Sequence, residues 1–261
     1  MNKQVNVIIK KDLMGIISNR RMLYTLLIVP MIMTILLPTL FIFVSLIPEE
    51  GDDLQKMLEM LPLAEQEGNE QQNLIHLVLN YVLPVFFLII PIMSSSVMSA
   101  ASFVGEKEKR TLETLLYSPL SLKQIFISKV MASFLLSMSV SIASFLAMLI
   151  VLEIETCLTT GTFILPDGKW LLIIFLAAPS VSLIAITLIV RVSAKAKSVE
   201  DAQQWAIFLL LPVIFLLVGQ FTGILLVSTW LLILAGSICA LLAIWLLKKS
   251  MNSFQYETLL K

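Results

Sequence analysis

Few side chains in this sequence could carry out enzymatic chemistry. His76 is the single histidine and lies at the edge of an apolar run, so a zinc site or a histidine-based triad lacks its partners. Cys157 falls in a predicted outer loop and Cys239 inside an apolar run, so we expect no disulfide between them. Gly161 and Gly168–Lys169 do not have the spacing of a phosphate-binding loop. We therefore expect no catalytic site, no metal and no bound cofactor in this chain.

Serine hydroxyls form a second group, in two neighbouring apolar runs. They are Ser94, Ser95, Ser96, Ser99 and Ser102 in one run and Ser133, Ser137, Ser141 and Ser144 in the next. The second set recurs at three- and four-residue spacing, which places it on one helical face. Small residues let membrane helices pack closely and hydrogen-bond to each other, which favours a structural role. The alternative is that these hydroxyls line a path for a partly polar substrate.

A polar-rich segment, Gly105–Lys129, joins these two runs and reads GEKEKRTLETLLYSPLSLKQIFISK. Charges of alternating sign between Glu106 and Glu113 favour a solvated helix with local ion pairs. An apolar stripe follows, formed by Leu112, Leu115 and Leu116. Because an apolar stripe on a solvated helix must be covered, the pattern predicts a docking surface for another protein or a loop that packs on its own bundle.

The end of this segment predicts a second, longer helix. Ser118–Pro119 stops the first helix, because the residue before a proline is biased away from helical angles. Ser121 and Gln124 then have the spacing of a capping box, and the helix that they start is expected to run to about Leu152. Such a helix is about 45 Å long, whereas the hydrocarbon core is about 30 Å thick. Its first turns should therefore project from the membrane.

The whole chain has the composition of a membrane protein. Of its 261 residues, 58% are hydrophobic and 14% are charged, and its mean hydropathy is +0.95. A soluble domain carries about 25% charged residues. Six apolar runs are long enough to cross a bilayer as helices: 22–47, 76–103, 127–152, 170–190, 204–227 and 229–247. Prolines within these runs are expected to kink the helices: Pro30, Pro38, Pro84, Pro91, Pro179 and Pro212.

An amphipathic helix is predicted before the first apolar run, within residues 1–21. Its apolar side chains recur at helical spacing and are Val5, Ile8, Ile9, Leu13, Ile16 and Ile17. Its lysines, Lys3, Lys10 and Lys11, lie largely off that face. A helix with this pattern suits the membrane surface, with its lysines among the headgroups.

The distribution of basic residues predicts the orientation. They cluster before the first run, between the second and third, between the fourth and fifth, and after the sixth. The first of the other loops, residues 48–73, is acidic instead. By the positive-inside rule, the basic loops are cytoplasmic. We therefore predict an all-α membrane protein whose six transmembrane helices occupy residues 22–247, with both termini and a tail at residues 248–261 in the cytoplasm.

The segment Gly105–Lys129 closely resembles the first cytoplasmic loop of type-2 ABC exporter permeases. The glycine, the mixed-charge run, the T-L-E-T-L-L core, the S-P turn and the following helix all stand in this sequence. The N-terminal helix and the six-span layout extend the resemblance over nearly the whole chain. In that family the loop contains a coupling helix that contacts the nucleotide-binding subunit. The residues that the resemblance assigns to this contact are Gly105, Glu106, Lys107, Glu108, Arg110, Thr111, Leu112, Glu113, Leu115 and Leu116.

The resemblance also implies a function and its partners. It implies the permease subunit of an ATP-driven exporter in the cytoplasmic membrane of a bacterium, which moves substrate outward by alternating access. A separate ATPase subunit would bind ATP and Mg, and a second permease copy or a sister permease would complete the pore among membrane lipids, without nucleic acid. The cargo stays open among sodium, a drug, a lipid and a peptide. The alternative function is a non-transporting immunity or sensor protein that binds a peptide or amphiphile.

Overall fold

Helices make up all the regular structure that is described. The structure is a computed structural model, and it describes residues 3–45, 70–109, 111, 120–161, 166–193, 195–221 and 229–253. The helices in these ranges are α1 (Lys3–Ile17), α2 (Arg20–Met31), α3 (Leu37–Ser45), α4 (Glu70–Leu77), α5 (Leu83–Phe87), α6 (Ile89–Glu108), α7 (Leu122–Thr160), α8 (Lys169–Leu172), α9 (Ala178–Ser193), α10 (Val199–Gln204), α11 (Ile207–Phe221) and α12 (Thr229–Ser253).

Six helical stretches within the described ranges are long and apolar enough to cross a membrane. They are Met22–Phe43, Gln72–Glu108, Leu122–Thr159, Lys169–Ser193, Val199–Gln220 and Thr229–Met251, called here the first to sixth spans. The predicted all-α architecture with six spans is therefore confirmed. The described ranges do not include the predicted tail beyond Ser253, most of the acidic loop at residues 48–73 or the residues that join the fifth and sixth spans.

The predicted capping box starts the third span. Ser121 Oγ accepts a hydrogen bond from the Gln124 backbone N–H (3.3 Å), and Gln124 Oε1 accepts one from the Ser121 N–H (3.0 Å). Helix α7 then runs for 39 residues, past the predicted end near Leu152, until Gly161 adopts a left-handed conformation with φ 67°. Cys157 consequently lies in its last turns and not in a loop, and both cysteines are free.

Three prolines are accommodated by π-helical turns. The π-helical stretches are Ile32–Leu36, Val78–Val82 and Ile173–Ala177, and each ends two residues before Pro38, Pro84 or Pro179. Directly after each stretch, the N–H of the residue before the proline donates a hydrogen bond to the carbonyl five residues earlier, at the start of the stretch. A proline ring collides with the carbonyl four residues earlier, so a locally wider helix relieves that contact. Pro30 and Pro212, in contrast, lie within α-helix.

Helix α1 exists as predicted, but most of its apolar face packs against the bundle. Val5, Ile9 and Ile16 are buried against side chains of the first, second and third spans. Ile17 lies off this face and is 60% exposed, which corrects its predicted place. It belongs instead to an outward stripe with Val7 and Met14 at seven- and three-residue spacing, which suits contact with the membrane surface.

The second span lies at the centre of the bundle and packs against the third and fourth spans. Its inner end, near Glu108, meets α1. Phe103 belongs there to a buried cluster against which Leu247 and Met251 pack from the end of the sixth span. We use "inner end" for this side, which carries the loops rich in basic residues. Both ends of the described chain therefore lie on the same side of the bundle, as an even number of spans requires.

Candidate functional site

Four charged side chains from three elements meet at the inner end of the bundle, and we call them the inner-end charge cluster. They are Lys11 and Asp12 on α1, Glu106 on the second span and Lys129 on the third span. The segment between the second and third spans is the one whose sequence resembles a coupling loop. The cluster therefore lies beside that segment and connects both flanking spans to α1.

Lys129 is the centre of the cluster, and its side chain is only 1% exposed. Its ammonium lies 2.7 Å from Glu106 Oε2 and 4.0 Å from Asp12 Oδ2, and it donates a hydrogen bond to the backbone carbonyl of Ser102. A buried ammonium is tolerated only when it is paired and hydrogen-bonded. Its position seven residues into α7, about 10 Å from the helix start, places it near the inner boundary of the apolar region.

Asp12 enters the cluster because it lies on the apolar face of α1. It follows Ile8 and precedes Ile16 by one helical turn each, so it is carried into the bundle with them. Ser102 Oγ donates a 2.6 Å hydrogen bond to Asp12 Oδ2. Burial raises the pKa of the Asp12 carboxyl above its usual range, although Lys129 and the Ser102 hydrogen bond act in the opposite direction.

Lys11 closes the cluster on the side that faces solution. Its ammonium donates a 2.6 Å hydrogen bond to Glu106 Oε1, and its side chain is 56% exposed. Partial burial alone would lower the pKa of Lys11, but the hydrogen bond and charge of Glu106 outweigh that effect and raise it. Glu106 thus receives one ammonium on each carboxylate oxygen, one from α1 and one from the third span.

Glu108 makes a second connection at the same end of the second span. Its Oε2 accepts a 3.2 Å hydrogen bond from the backbone N–H of Val199, the first residue of α10. Ser198 caps the same helix by accepting from the Asp201 N–H at 3.1 Å. Together these acceptors satisfy donors that the start of a helix leaves free. The inner end of the second span is therefore bonded to α1, to the third span and to the start of the fifth.

The structure places half of the ten predicted coupling residues. Gly105 and Glu106 are buried, Lys107 is half-buried, and Glu108 and Thr111 are exposed. The Thr111 backbone N–H donates to the carbonyl of Glu106 at 2.9 Å. The other five, Arg110, Leu112, Glu113, Leu115 and Leu116, lie outside the described residues. Glu106 is committed to ammonium groups of its own chain, which sequence reasoning did not foresee.

The predicted serines are buried in the second and third spans, and two of them join these spans directly. The hydroxyls of Ser94 and Ser137 are 3.0 Å apart, and Ser137 also donates to the carbonyl of Pro91 at 3.0 Å. Among the other serines, Ser95, Ser96, Ser99, Ser133 and Ser141 donate to carbonyls of their own helices. This arrangement favours close packing of the two spans, and a role of these hydroxyls toward substrate stays a prediction.

The sequence matches the description ABC-2 type transporter over residues 3–221, which includes α1, the whole cluster and the first five spans. The chain belongs to the ABC-2 type transporter family. Membership makes it a multi-pass membrane protein and a transport component rather than a catalytic subunit. The family implies an ABC ATPase partner and usually a dimeric arrangement. Comparison with curated proteins gives no match.

In this ABC-2 type chain, a cavity of about 230 Å³ lies beside the cluster, between α1 and the inner end of the second span. Lys11, Asp12 and Glu106 form part of its wall, and the exposed residues Lys109 and Thr111 lie at its rim. The described residues hold no group of three or more histidine, cysteine, aspartate or glutamate side chains that could bind a metal ion. The cluster is closed on the side of the third span, where Lys129 is buried, and borders this cavity between α1 and the second span.

Sequence reasoning missed the cluster although two of its members carry a signal. Asp12 shares its helical face with Ile8 and Ile16, a pattern that places a carboxylate on a face expected to be buried. Lys129 is the single charged residue in the run Ile125–Phe134. A lone lysine in an apolar stretch predicts a buried partner of opposite charge. Which carboxylate pairs with it could not be read from the sequence.

Proposed function

We propose that this chain is the permease subunit of an ATP-driven exporter and that a separate ATPase subunit docks on residues 105–116. We further propose that the inner-end charge cluster transmits movement of this segment to the bundle. The observation that carries the proposal is the position of Glu106. It lies at the start of the predicted docking segment and is bonded at the same time to Lys129 of the third span and Lys11 of α1.

The docking surface is proposed to combine charged and apolar contacts. Leu112, Leu115 and Leu116 are the apolar anchors, because a few buried side chains supply most of the binding energy of an interface. Lys107 and Arg110 are proposed to form charge pairs at its rim. Glu108 already accepts a bond from Val199, so a displacement of the docking segment also pulls on the start of the fifth span.

The cluster is proposed to make α1 and the inner ends of the second and third spans move as one unit. Breaking a buried ion pair leaves an uncompensated charge, which is strongly unfavourable, so a displacement that keeps the pairs intact is preferred. The capped helix α7 is about 58 Å long and extends from the cytoplasmic segment through the bilayer. A displacement at its inner end therefore becomes a tilt that reaches the outer half of the membrane.

The transport cycle is proposed to be a shift between two conformations. ATP and Mg bound to the partner ATPase would favour one position of the docking segment, and hydrolysis would release it. The serines between the second and third spans are proposed to hold these helices together rather than to form the path. Substrate is proposed to pass between this permease and a second copy or a sister permease.

The test is to purify the tagged full-length chain in mild detergent from its native membrane and identify its partners by mass spectrometry. We expect a stoichiometric ABC ATPase. Leu115→Asp should reduce its recovery by about tenfold, because a charge in an apolar contact removes a main source of binding energy. Lys248→Met, which removes an exposed lysine at the inner end of the sixth span, is the matched control and should not change recovery.

A second pair of variants separates docking from transmission. The double variant Glu106→Gln with Lys129→Met removes charges of both signs, and we expect it to keep the ATPase bound while ATP hydrolysis no longer responds to substrate. Recovery of no ATPase with either the unmodified chain or the control would contradict the exporter and favour the immunity or sensor function. Unchanged recovery with Leu115→Asp would contradict the docking surface alone.

A further inference from the structure

A second cavity, of about 220 Å³, lies among the second, fourth, fifth and sixth spans, away from the inner-end charge cluster. Buried side chains such as Ile92 and Val213 form its floor. Its rim includes Leu231 and Ala235, which are exposed on the outside of the bundle. The cavity therefore opens sideways between the fifth and sixth spans, toward the surroundings of the chain in the membrane.

The chemistry of the cavity wall selects an apolar occupant. None of the described residues that line it has a charged, hydroxyl or amide side chain, and the thiol of Cys239 is the most polar side-chain group among them. A water molecule in a protein needs two to four polar partners, and apolar cavities without them stay dry. The wall offers no such partners from its side chains, so a hydrocarbon is the group that it fits.

The size of the cavity matches part of a flexible chain. An apolar cavity of roughly 150 Å³ accommodates a benzene ring, which has six carbon atoms. By proportion, 220 Å³ holds about nine carbon atoms. A single acyl chain can therefore place part of its length in the cavity. A larger rigid molecule would not fit without displacing the spans.

We propose that this cavity binds one acyl chain of a membrane lipid. The rim is continuous with an apolar surface on the fifth and sixth spans that includes the exposed side chains of Leu211, Phe215 and Leu234. Lipid tails surround the apolar surfaces of membrane-spanning helices, so an acyl chain is the group available to the rim. An empty cavity would deprive its wall of van der Waals partners, and an inserted chain restores those contacts.

The experiment uses the full-length chain in liposomes that contain a phosphatidylcholine with a photoactivatable diazirine at mid-chain. After irradiation, mass spectrometry should find adducts on the cavity floor, at Ile92 and Val213, which ordinary surface lipids do not reach. Ala235→Trp narrows the mouth and should reduce these adducts by about tenfold. The matched control is Ala143→Trp, because Ala143 is exposed on the third span and does not line the cavity.

A second measurement keeps the proposal testable if Ala235→Trp disturbs the fold. In a Cys157→Ser background, Cys239 is the reporter thiol, and its alkylation by N-ethylmaleimide should slow when phosphatidylcholine is added to delipidated protein. Leu231→Trp, a milder change at the exposed rim, should weaken this protection. The proposal would be overturned if the unmodified chain gave no more adducts at the cavity floor than Ala235→Trp does. It would also be overturned if added phosphatidylcholine left the rate of Cys239 alkylation unchanged. Disulfide crosslinking of two copies of the chain through a Leu231→Cys variant would overturn it in favour of a protein neighbour.

Discussion

The second and sixth spans are both strongly apolar, yet they lie in opposite environments. In the second span, 72% of the residues in its most apolar stretch are buried within the chain, whereas in the sixth the share is 17%. The second span is lined with serines and ends in Glu106 and Glu108, which bond to neighbouring elements. The sixth span exposes Trp230 and Leu241 to its surroundings.

The difference teaches that hydropathy identifies a span but not its neighbours. Lipid tails are as apolar as leucine, so apolar side chains gain little by choosing protein over lipid. Polar and small side chains decide the matter, because small residues let helices approach closely and a charge must find a partner inside the bundle. The second span is central because it carries such groups along its length. The two spans should therefore respond differently to substitution.

The largest effect is expected at the buried charge of the inner end. Lys129→Met leaves the carboxylates of Glu106 and Asp12 without their shared ammonium, and breaking a buried ion pair costs about 3–5 kcal/mol. We expect a large fall in the thermal unfolding midpoint of the detergent-solubilised protein. Lys123→Met, which removes an exposed lysine from the first turns of the same helix, should leave the midpoint unchanged.

A second variant tests whether the loss of stability in Lys129→Met comes from the lost charge or from the changed side-chain volume. Combining Lys129→Met with Glu106→Gln removes one of the two carboxylates that lose this ammonium, so part of the lost stability should return. If the single and double variants melt at the same temperature, the pairing of these two residues does not stabilise the fold. The central role that we assign to the second span would then have to rest on packing alone.

The next effect concerns a close approach between the sixth and fourth spans. A methyl group added at Gly236 would lie 2.8 Å from Leu176 Cδ2 in the fourth span. Overpacking of this kind costs about 1–3 kcal/mol, and the lower end applies because the contacted atom is the end of a flexible side chain. Gly236→Ala should therefore lower the unfolding midpoint moderately, and Leu176→Val should relieve the loss.

Gly15→Ala is the control for Gly236→Ala, and its expected shift of the unfolding midpoint has the opposite sign. A methyl group added at Gly15 meets nothing within 4 Å, and this residue lies inside α1. Alanine is about 1 kcal/mol better than glycine in a helix interior, so Gly15→Ala should raise the unfolding midpoint. Equal shifts for the two alanine variants would show that the sixth span does not depend on close contact with Leu176.

A smaller effect is expected where two spans share hydroxyl groups. Ser137→Ala removes the contacts with Ser94 and with the carbonyl of Pro91. Hydrogen bonds between membrane helices average about 0.6 kcal/mol, so the unfolding midpoint should fall only slightly. Ser139→Ala is the matched control, since Ser139 is exposed and donates only to its own helix. A larger loss at Ser139 than at Ser137 would contradict the assignment of the serines to the interface.

Much of the fold could be predicted because its signals are local. A run of about 20 apolar residues and the capping box of Ser121 and Gln124 depend on residues close in the sequence. The face of α1 that carries Val5 and Ile9 follows from helical periodicity in the same way. Each of these features is present in the structure, and each would form from the nearby chain in an apolar solvent.

The site was less predictable because its bonds join distant parts of the chain. The Glu106 carboxylate could have faced solution or a partner protein, and only the packing of α1 against both spans places Lys129 beside it. The spacing of charges within residues 105–113 contains no information about α1. The π-helical turns were also missed, since sequence reasoning expected a kink at Pro84 and not a wider turn before it.

The smallest effect is a dependence of stability on pH. It arises from Asp12 on α1, which bonds to Ser102 of the second span, and we expect no such effect from the sixth span. The folded chain holds the pKa of Asp12 above its usual range, mainly because the carboxyl is buried. Between the unfolded and folded pKa values the folded chain binds more protons, so this group's contribution makes the free energy of unfolding fall as pH rises through that window. Asp12→Asn keeps an acceptor for Ser102 but cannot titrate. The free energy of unfolding of the unmodified chain minus that of this variant should therefore decrease with rising pH. Thermal unfolding from acidic to neutral pH measures this difference, and a difference that grows with pH would show that the ion pair with Lys129 outweighs burial.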